Sequence, residues 1–248
     1  MTSAVDSPSK LRRLEGRRIV ITGAASGIGK ATALRFALEG ASLALLDFDA
    51  ARLEDTVQRT GGHGFQANVA DESSITDAVE RAGKALGGID GLVNVAGIMR
   101  VGPMGEVPTD VWRQVLDVNL TGTYLVSRCC LPWLQKAQGS TIVNIASAAG
   151  LLPNAPGLTA YAASKGGVIN LTRAMAAELA PAIRVNCVCP GMVDTPMADG
   201  FHANVGNYAL KRIADPDEIA SVILFLTSAD GSYVTGATLA ADGGRTFH

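Results

Sequence analysis

A chain of 248 residues with 48% hydrophobic and 18% charged side chains can bury a large core, which excludes an intrinsically disordered protein. A formal net charge of −2 supplies no basic excess for nucleic acid, and no uninterrupted apolar run approaches the ~18 residues of a membrane span. A compact globular protein with no nucleic-acid and no membrane partner is expected.

In chain order, the opening "MTSAVDSPSKLRRLEG" has no apolar stretch of signal-peptide length. Residues 1–15 are expected to be a tail of a cytoplasmic protein, and residues 16–248 a single domain. Within that domain short β-rich runs alternate with helical periodicity. "RIVIT" is followed by a helix from near Gly27, "SLALLD" by one from near Ala50, "GFQANV" by one from near Asp71, and "DGLVNVA" by one from near Thr109. The segment from about 109 to 138 is long enough for one helix with an extended end or for two short ones. "STIVNIAS" precedes a helix from near Thr159, "IRVNCVCP" precedes one from near Asp215, and "GATLAAD" closes the series. "DPDEIA" carries Pro and acidic residues where a helix starts.

Several of these strands are apolar almost throughout, as in a parallel sheet covered on both faces. The alternation predicts an α/β fold: a Rossmann-like doubly wound parallel β-sheet of about seven strands, with helices on both faces and right-handed crossovers. In such sheets ligands bind beyond the carboxyl ends of the strands. The four cysteines, Cys129, Cys130, Cys187 and Cys189, match no C-x-x-C spacing and have no histidines nearby in sequence, so buried reduced thiols and no metal site are expected.

After the first strand comes "TGAASGIGKA", with Gly23, Gly27 and Gly29 spaced G-x-x-x-G-x-G. Glycines there permit a tight turn and close approach of backbone to a pyrophosphate facing a helix N-terminus. Gly23, Ser26, Gly27, Ile28 and Gly29 are therefore candidate cofactor-binding residues. Asp47 closes the second strand 18 residues beyond Gly29, where a carboxylate can accept hydrogen bonds from an adenosine ribose and repel a 2′-phosphate. Phe48 follows it, and no Arg or Lys stands in the turn. The cofactor expected is NAD(H).

In "TAYAASKGG" Tyr161 and Lys165 stand four residues apart, on one helix face, among small side chains. A phenol of pKa about 10 is a poor base at neutral pH, and a neighbouring cation favours its phenolate. With "TGAASGIG", "NVAG" at 94–97, Asn119 in "DVNLTG", Ser147 in "IVNIASAAG", "PGMVDTPM" at 190–197 and "TGATLAADGG", all in order, the chain resembles the short-chain dehydrogenase/reductase family, classical subgroup. The resemblance runs from about Gly16 to Gly244.

The resemblance implies a catalytic set of Asn119, Ser147, Tyr161 and Lys165. Tyr161 would be the general acid in reduction and the base in oxidation. Lys165 would tune it and bind the nicotinamide ribose, and Ser147 would hydrogen-bond the substrate oxygen. Asn119 would hold a helix irregularity and a water linking Lys165 to solvent. It also implies cofactor contacts from Asn68 and Val69 near adenine, from Asn94, Ala96 and Gly97 along the adenosine side, and from Pro190, Gly191, Val193 and Thr195 around the nicotinamide. Many relatives carry Asp where Asn68 stands and N-N-A-G where this chain reads "NVAG".

For the substrate, Leu151, Leu152, Leu158, Met192, Met197 and Phe201 suggest an apolar wall, and no sequence cluster of Arg or Lys asks for a phosphate or a dicarboxylate. A substrate loop over about 192–212 is expected, with His202 solvated. An alcohol or ketone of small size is the expected substrate. The alternative, an NADPH-dependent 3-oxoacyl-(acyl-carrier-protein) reductase, is disfavoured by Asp47 and by Pro132 and Ala177 at the positions aligned with that branch's docking arginines. An NAD-binding sensor without turnover is a third reading, and the intact Ser-Tyr-Lys set counts against it. Family resemblance further implies a homotetramer through the helix pairs around 109–136 and 159–180.

Overall fold

The computed structural model describes residues 12–198 and 202–246. Of the expected tail at residues 1–15, residues 1–11 lie outside the described residues, as does the wall residue Phe201; residues 12–15 belong to the fold, with Leu14 buried and its N–H donating to Glu39 O at 3.0 Å.

Seven strands form one sheet: β1 (Arg18–Thr22), β2 (Ser42–Asp47), β3 (His63–Gln66), β4 (Gly91–Asn94), β5 (Ser140–Ile145), β6 (Ile183–Pro190) and β7 (Thr238–Ala241). Their order is β3-β2-β1-β4-β5-β6-β7 and every pairing is parallel. The chain runs outward from β1 to β3, then crosses back so that β4 lies on the other side of β1. That reversal opens a crevice beyond the carboxyl ends of β1 and β4.

The helices are α1 (Gly27–Leu38), α2 (Ala50–Thr60), α3 (Glu72–Leu86), α4 (Thr109–Leu116), α5 (Gly122–Leu134), α6 (Ala148–Leu151), α7 (Thr159–Leu179) and α8 (Pro216–Thr227). Alternation along β1 explains why its sequence is apolar throughout. Ile19 and Ile21 pack with Phe36 of α1, Leu53 of α2 and Ile219 and Ile223 of α8. Val20 points the other way, into a second core with Ile75 of α3, Val126 of α5 and Ala176 of α7. Each large apolar side chain so buried contributes about 1.5–3 kcal/mol. Among the described residues no helix is long and apolar enough to cross a membrane.

The strands predicted as "GFQANV", "DGLVNVA", "STIVNIAS" and "GATLAAD" are each shorter than the apolar run. At the end of β4 the cause is visible: Val95 N and Ala96 N both donate to Thr22 Oγ1, at 3.1 and 3.2 Å, in place of continuing the ladder. The 109–138 segment is neither one helix with an extended end nor two separate ones. A π turn at Asp117–Thr121 joins α4 to α5 without a break. Three of the four cysteines, Cys130, Cys187 and Cys189, are buried free thiols; Cys129 departs from the expectation, being only half-buried.

Candidate active site

The site begins with an uncapped helix. Asp49, Asp71 and Asp215 each accept backbone hydrogen bonds at the starts of α2, α3 and α8, whereas Ser26 makes no side-chain cap on α1. The first N–H groups of α1 are therefore left for a ligand, where the helix dipole favours an anion. The glycines let three segments close around that end. Gly23, with φ 67°, stands where a methyl group would fall 2.8 Å from Ala96 N in the loop after β4. Gly27, with φ 51°, stands where one would fall 3.0 Å from Thr195 Cγ2 in the loop after β6. A methyl on Gly29 would overlap the Gly23 carbonyl oxygen, so Gly29 serves the turn's own packing and does not line the cavity.

Asp47 lies at the tip of β2 with its carboxylate anchored. Oδ2 accepts from Ala25 N at 2.9 Å and Oδ1 from Asp49 N at 3.0 Å. It faces a cavity of about 1070 Å³, together with Ser26, Ile28, Phe48, Asn68, Val69, Ala96 and Gly97. The Asn68 side chain already accepts from Ala70 N at 3.1 Å, a second use of the amide oxygen assigned to adenine.

Asn94 departs from its assignment. It is buried, and its Nδ2 donates inward to Ser127 Oγ at 3.1 Å and to Asn144 Oδ1 at 2.9 Å, tying β4 to β5 and α5. Its side chain therefore faces the core and does not line the cavity.

The opposite wall carries Ser147, Tyr161 and Lys165. Ser147 follows β5 and caps α6, accepting from Ala149 N at 3.1 Å, so its hydroxyl is held at the cavity edge. Lys165 is buried, with Nζ donating to Ile145 O at 2.8 Å and lying 5.8 Å from the Tyr161 ring centroid. Gly97 faces the ammonium: a methyl there would fall 3.3 Å from Nζ. Burial lowers the Lys165 pKa from its ordinary value to about 8. Burial also raises Tyr161 above the ordinary phenol value, and a hydrogen bond with Ser147 opposes that rise. The expected lowering of Tyr161 by Lys165 is not seen in this structure: burial raises the phenol, and the opposing pull comes from Ser147.

Asn119 sits on the π turn and does not line the cavity. Its carboxamide grips Ile98 from both sides: Oδ1 accepts from Ile98 N at 2.8 Å and Nδ2 donates to Ile98 O at 2.9 Å. Nδ2 also donates to Ser164 Oγ at 2.9 Å, next to Lys165 on α7. The helix irregularity expected at Asn119 is present, and the residue acts as a positioning group joining the loop after β4 to α7.

Small residues beside Lys165 serve the packing of α7. A methyl on Gly167 would press on Leu120 Cδ2 at 2.7 Å, and one on Gly150 would press on the Lys165 carbonyl carbon at 2.8 Å. They let the π turn and α6 seat against α7, while Gly97 provides the room in front of Lys165.

Pro190, Gly191, Val193 and Thr195 line the cavity in the loop after β6, which is fixed by the pairing of Val193 with Ala214. Two supports there were not legible in the sequence. Tyr208, buried, accepts from Met192 N at 3.1 Å, and Asp242 accepts from Gly244 N at 2.9 Å and Thr246 N at 3.0 Å.

Comparisons with known proteins agree with this geometry. A family model described as enoyl-(acyl carrier protein) reductase matches residues 23–246. The chain is 43% identical over 243 residues to the 3-oxoacyl-(acyl-carrier-protein) reductase FabG of Thermotoga maritima, covering 94% of this chain and 98% of that one. It is 38% identical over 244 residues to the meso-2,3-butanediol dehydrogenase of Serratia marcescens, covering 94% and 96% respectively. A solved structure of 3-ketoacyl-(acyl-carrier-protein) reductase from Brucella melitensis complexed with NADH superposes with a TM-score of 0.90 at 34% identity, covering 94% of this chain and all of that one, 100%.

Proposed function

The chain belongs to the short-chain dehydrogenase/reductase family and is an oxidoreductase of CH–OH and ketone groups that takes a nicotinamide cofactor; on that premise we propose that it is NAD(H)-dependent, with Tyr161 as the acid and base. The observation that carries the cofactor choice is Asp47, whose carboxylate faces the cavity and is fixed by two backbone N–H groups. A 2′-phosphate there would meet a negative charge, and the nearest cation along the chain, Arg52, is already paired with Asp49 at 3.4 Å.

The residues present fit a dinucleotide. The glycine cradle, the uncapped α1 and Asp47 form one continuous strip, and the cavity extends from there to Tyr161. When bound, the nicotinamide supplies the hydride acceptor or donor. Every other element of the chemistry belongs to the chain. Ser147 and Tyr161 supply two hydroxyls that converge on the substrate oxygen, and Tyr161 gives up its proton in reduction and takes one in oxidation. Lys165, charged below a pH of about 8, favours the phenolate and offers donors to a ribose. Asn119 keeps the Ile98 loop against α7, so Gly97 stays open in front of Lys165.

A homotetramer belongs to the same proposal. Edge strand β7 leaves Leu239 38% exposed and α8 leaves Phe225 37% exposed, an apolar edge suited to a second copy. The identity to the Thermotoga maritima reductase favours the NADPH-dependent acyl-carrier reading as the second one. Absorbance at 340 nm separates the readings: secondary alcohols, polyols and hydroxy acids with NAD+, and ketones with NADH, are expected to give turnover. Turnover confined to 3-oxoacyl thioesters with NADPH would favour the second.

A further inference from the structure

The cavity holds arginines that no carboxylate among the described residues neutralises. Among the described residues, Arg12, Arg13, Arg17, Arg18, Arg35, Arg52, Arg59, Arg81, Arg128 and Arg212 each have a carboxylate within ion-pair distance. Arg173 and Arg184 have other protein acceptors outside the cavity, Asn170 Oδ1 for the first and the carbonyls of Ser228 and Val234 for the second. The remaining three, Arg100, Arg113 and Arg245, all line the cavity. Arg113 on α4 stands between Asp110 on the same helix and Asp117 at the start of the π turn, both of which line the cavity too, so its charge is offset locally.

Arg100 and Arg245 have no such balance among the described residues, Arg100 donating only to the neighbouring Met99 carbonyl at 3.1 Å. Each belongs to a segment that is fastened to the loop between α6 and α7. Gly102 N donates to Gly157 O at 3.0 Å, which fastens the Arg100 loop to that connection. Arg245 Nη2 donates to Asn154 Oδ1 at 2.8 Å on the same connection. The Arg245 backbone is set by Asp242, which is 7% exposed and uses its oxygens on Gly244 N, Thr246 N and Thr246 Oγ1. Asp242 therefore builds the turn, and no carboxylate among the described residues pairs with Arg245. The lining acids Asp47, Asp110 and Asp117 stand at the β2 tip, on α4 and on the π turn, and none of them is ion-paired with Arg100 or Arg245.

We propose that Arg100 and Arg245 form an anion-recognition subsite, so that the substrate is a secondary alcohol or ketone carrying a carboxylate, or a similar oxyanion, several bonds from the reacting carbon. The proposal rests on the oxidoreductase reading of the same cavity and names its substrate class. Arginine suits the task because its planar guanidinium binds an oxyanion through paired N–H groups. The pair escapes a sequence scan because residues 100 and 245 come to line one cavity only in the folded chain.

The test uses the full chain with matched pairs: 3-hydroxybutyrate, 4-hydroxypentanoate and 5-hydroxyhexanoate against their methyl esters. Calorimetric binding to the NADH complex and turnover with NAD+ and NADP+ are both measured. At least one acid is expected to bind about tenfold or more tighter than its ester, the scale of a hydrogen-bonded charge. Arg100→Gln and Arg245→Gln should each shrink that preference, and the double variant should abolish it, with ester binding and NADH affinity held within about threefold. Arg173→Gln, on the outer face of α7, should leave it intact.

Equal binding of acids and esters in the wild type would overturn the proposal, as would a preference surviving in the double variant. Loss of NADH affinity in the arginine variants would also overturn it, assigning these groups to the cofactor. Acid-selective binding without turnover by either cofactor would uphold the subsite and contradict the oxidoreductase reading, whereas turnover without acid preference would do the reverse.

Discussion

The two halves of the cavity hold their groups by different means. Around β1, α1 and β2 the working parts are backbone: glycines at van der Waals limit, the open end of a helix, and an aspartate fixed by two N–H groups. Around α6, α7 and the loop after β6 they are side chains that reach across the fold to backbone and to one another: Ser147 to Ala149 N, Asn119 to the Ile98 backbone and Ser164, Tyr208 to Met192 N, and Arg245 to Asn154. A backbone cradle suits a part that every substrate shares, whereas side-chain supports can be exchanged without rebuilding the sheet. The comparison predicts that damage to the first half lowers stability and cofactor affinity together, and damage to the second lowers rate or selectivity alone.

Tyr161→Phe carries the largest expected effect. It removes one oxygen and no packing, so turnover should fall by about 10²–10⁴-fold while NADH affinity and thermal unfolding stay near wild type. Steady-state rates beside a melting curve check this, and near-wild-type turnover would remove Tyr161 from the chemistry. Gly29→Ala is the counterpart in the backbone half. Its methyl overlaps Gly23 O, so denaturant unfolding should show a loss of about 1–3 kcal/mol with weakened NADH binding. Unchanged stability would mean that the turn has slack the geometry does not show.

Ser147→Ala separates the proton chemistry from the fold. The Ser147 hydrogen bond lowers the Tyr161 pKa against the rise due to burial, so its loss should raise that pKa further. Oxidation needs the phenolate, and the rising limb of kcat/KM against pH should therefore move to higher pH, with the neutral-pH rate falling. A limb that stays in place would assign the titration to another group. Tyr208→Phe is expected to do least. It removes the acceptor for Met192 N, about 1 kcal/mol of loop anchoring, and should appear as a few-fold rise in substrate KM with kcat little changed.

The same division governs how much of the molecule was legible in its sequence. β1, β2 and β6 and the starts of α1, α2, α4 and α7 depend on neighbours a few residues away, and spacing alone located them; the glycines of the first turn were found by spacing too, although Gly23 and Gly27 close on Ala96 and Thr195 far along the chain. Tyr161 and Lys165 share that advantage, being one helical turn apart. Asn94 was misread because its motif sits at a strand end that could face either way, and partners 33 and 50 residues distant turn it inward. The π turn, α6, Tyr208, Asp242 and the Arg100–Arg245 wall depend on contacts between segments far apart in the chain. Periodicity carries no signal for those.

The cofactor preference tests the account most directly. With any alcohol that turns over, kcat/KM is measured at 340 nm for NAD+ and for NADP+ in the wild type and in Asp47→Ala. The account predicts a wild-type ratio favouring NAD+ by about tenfold or more, collapsing toward unity in Asp47→Ala as the repelling carboxylate goes. A wild-type preference for NADP+, or a ratio indifferent to Asp47, would contradict it.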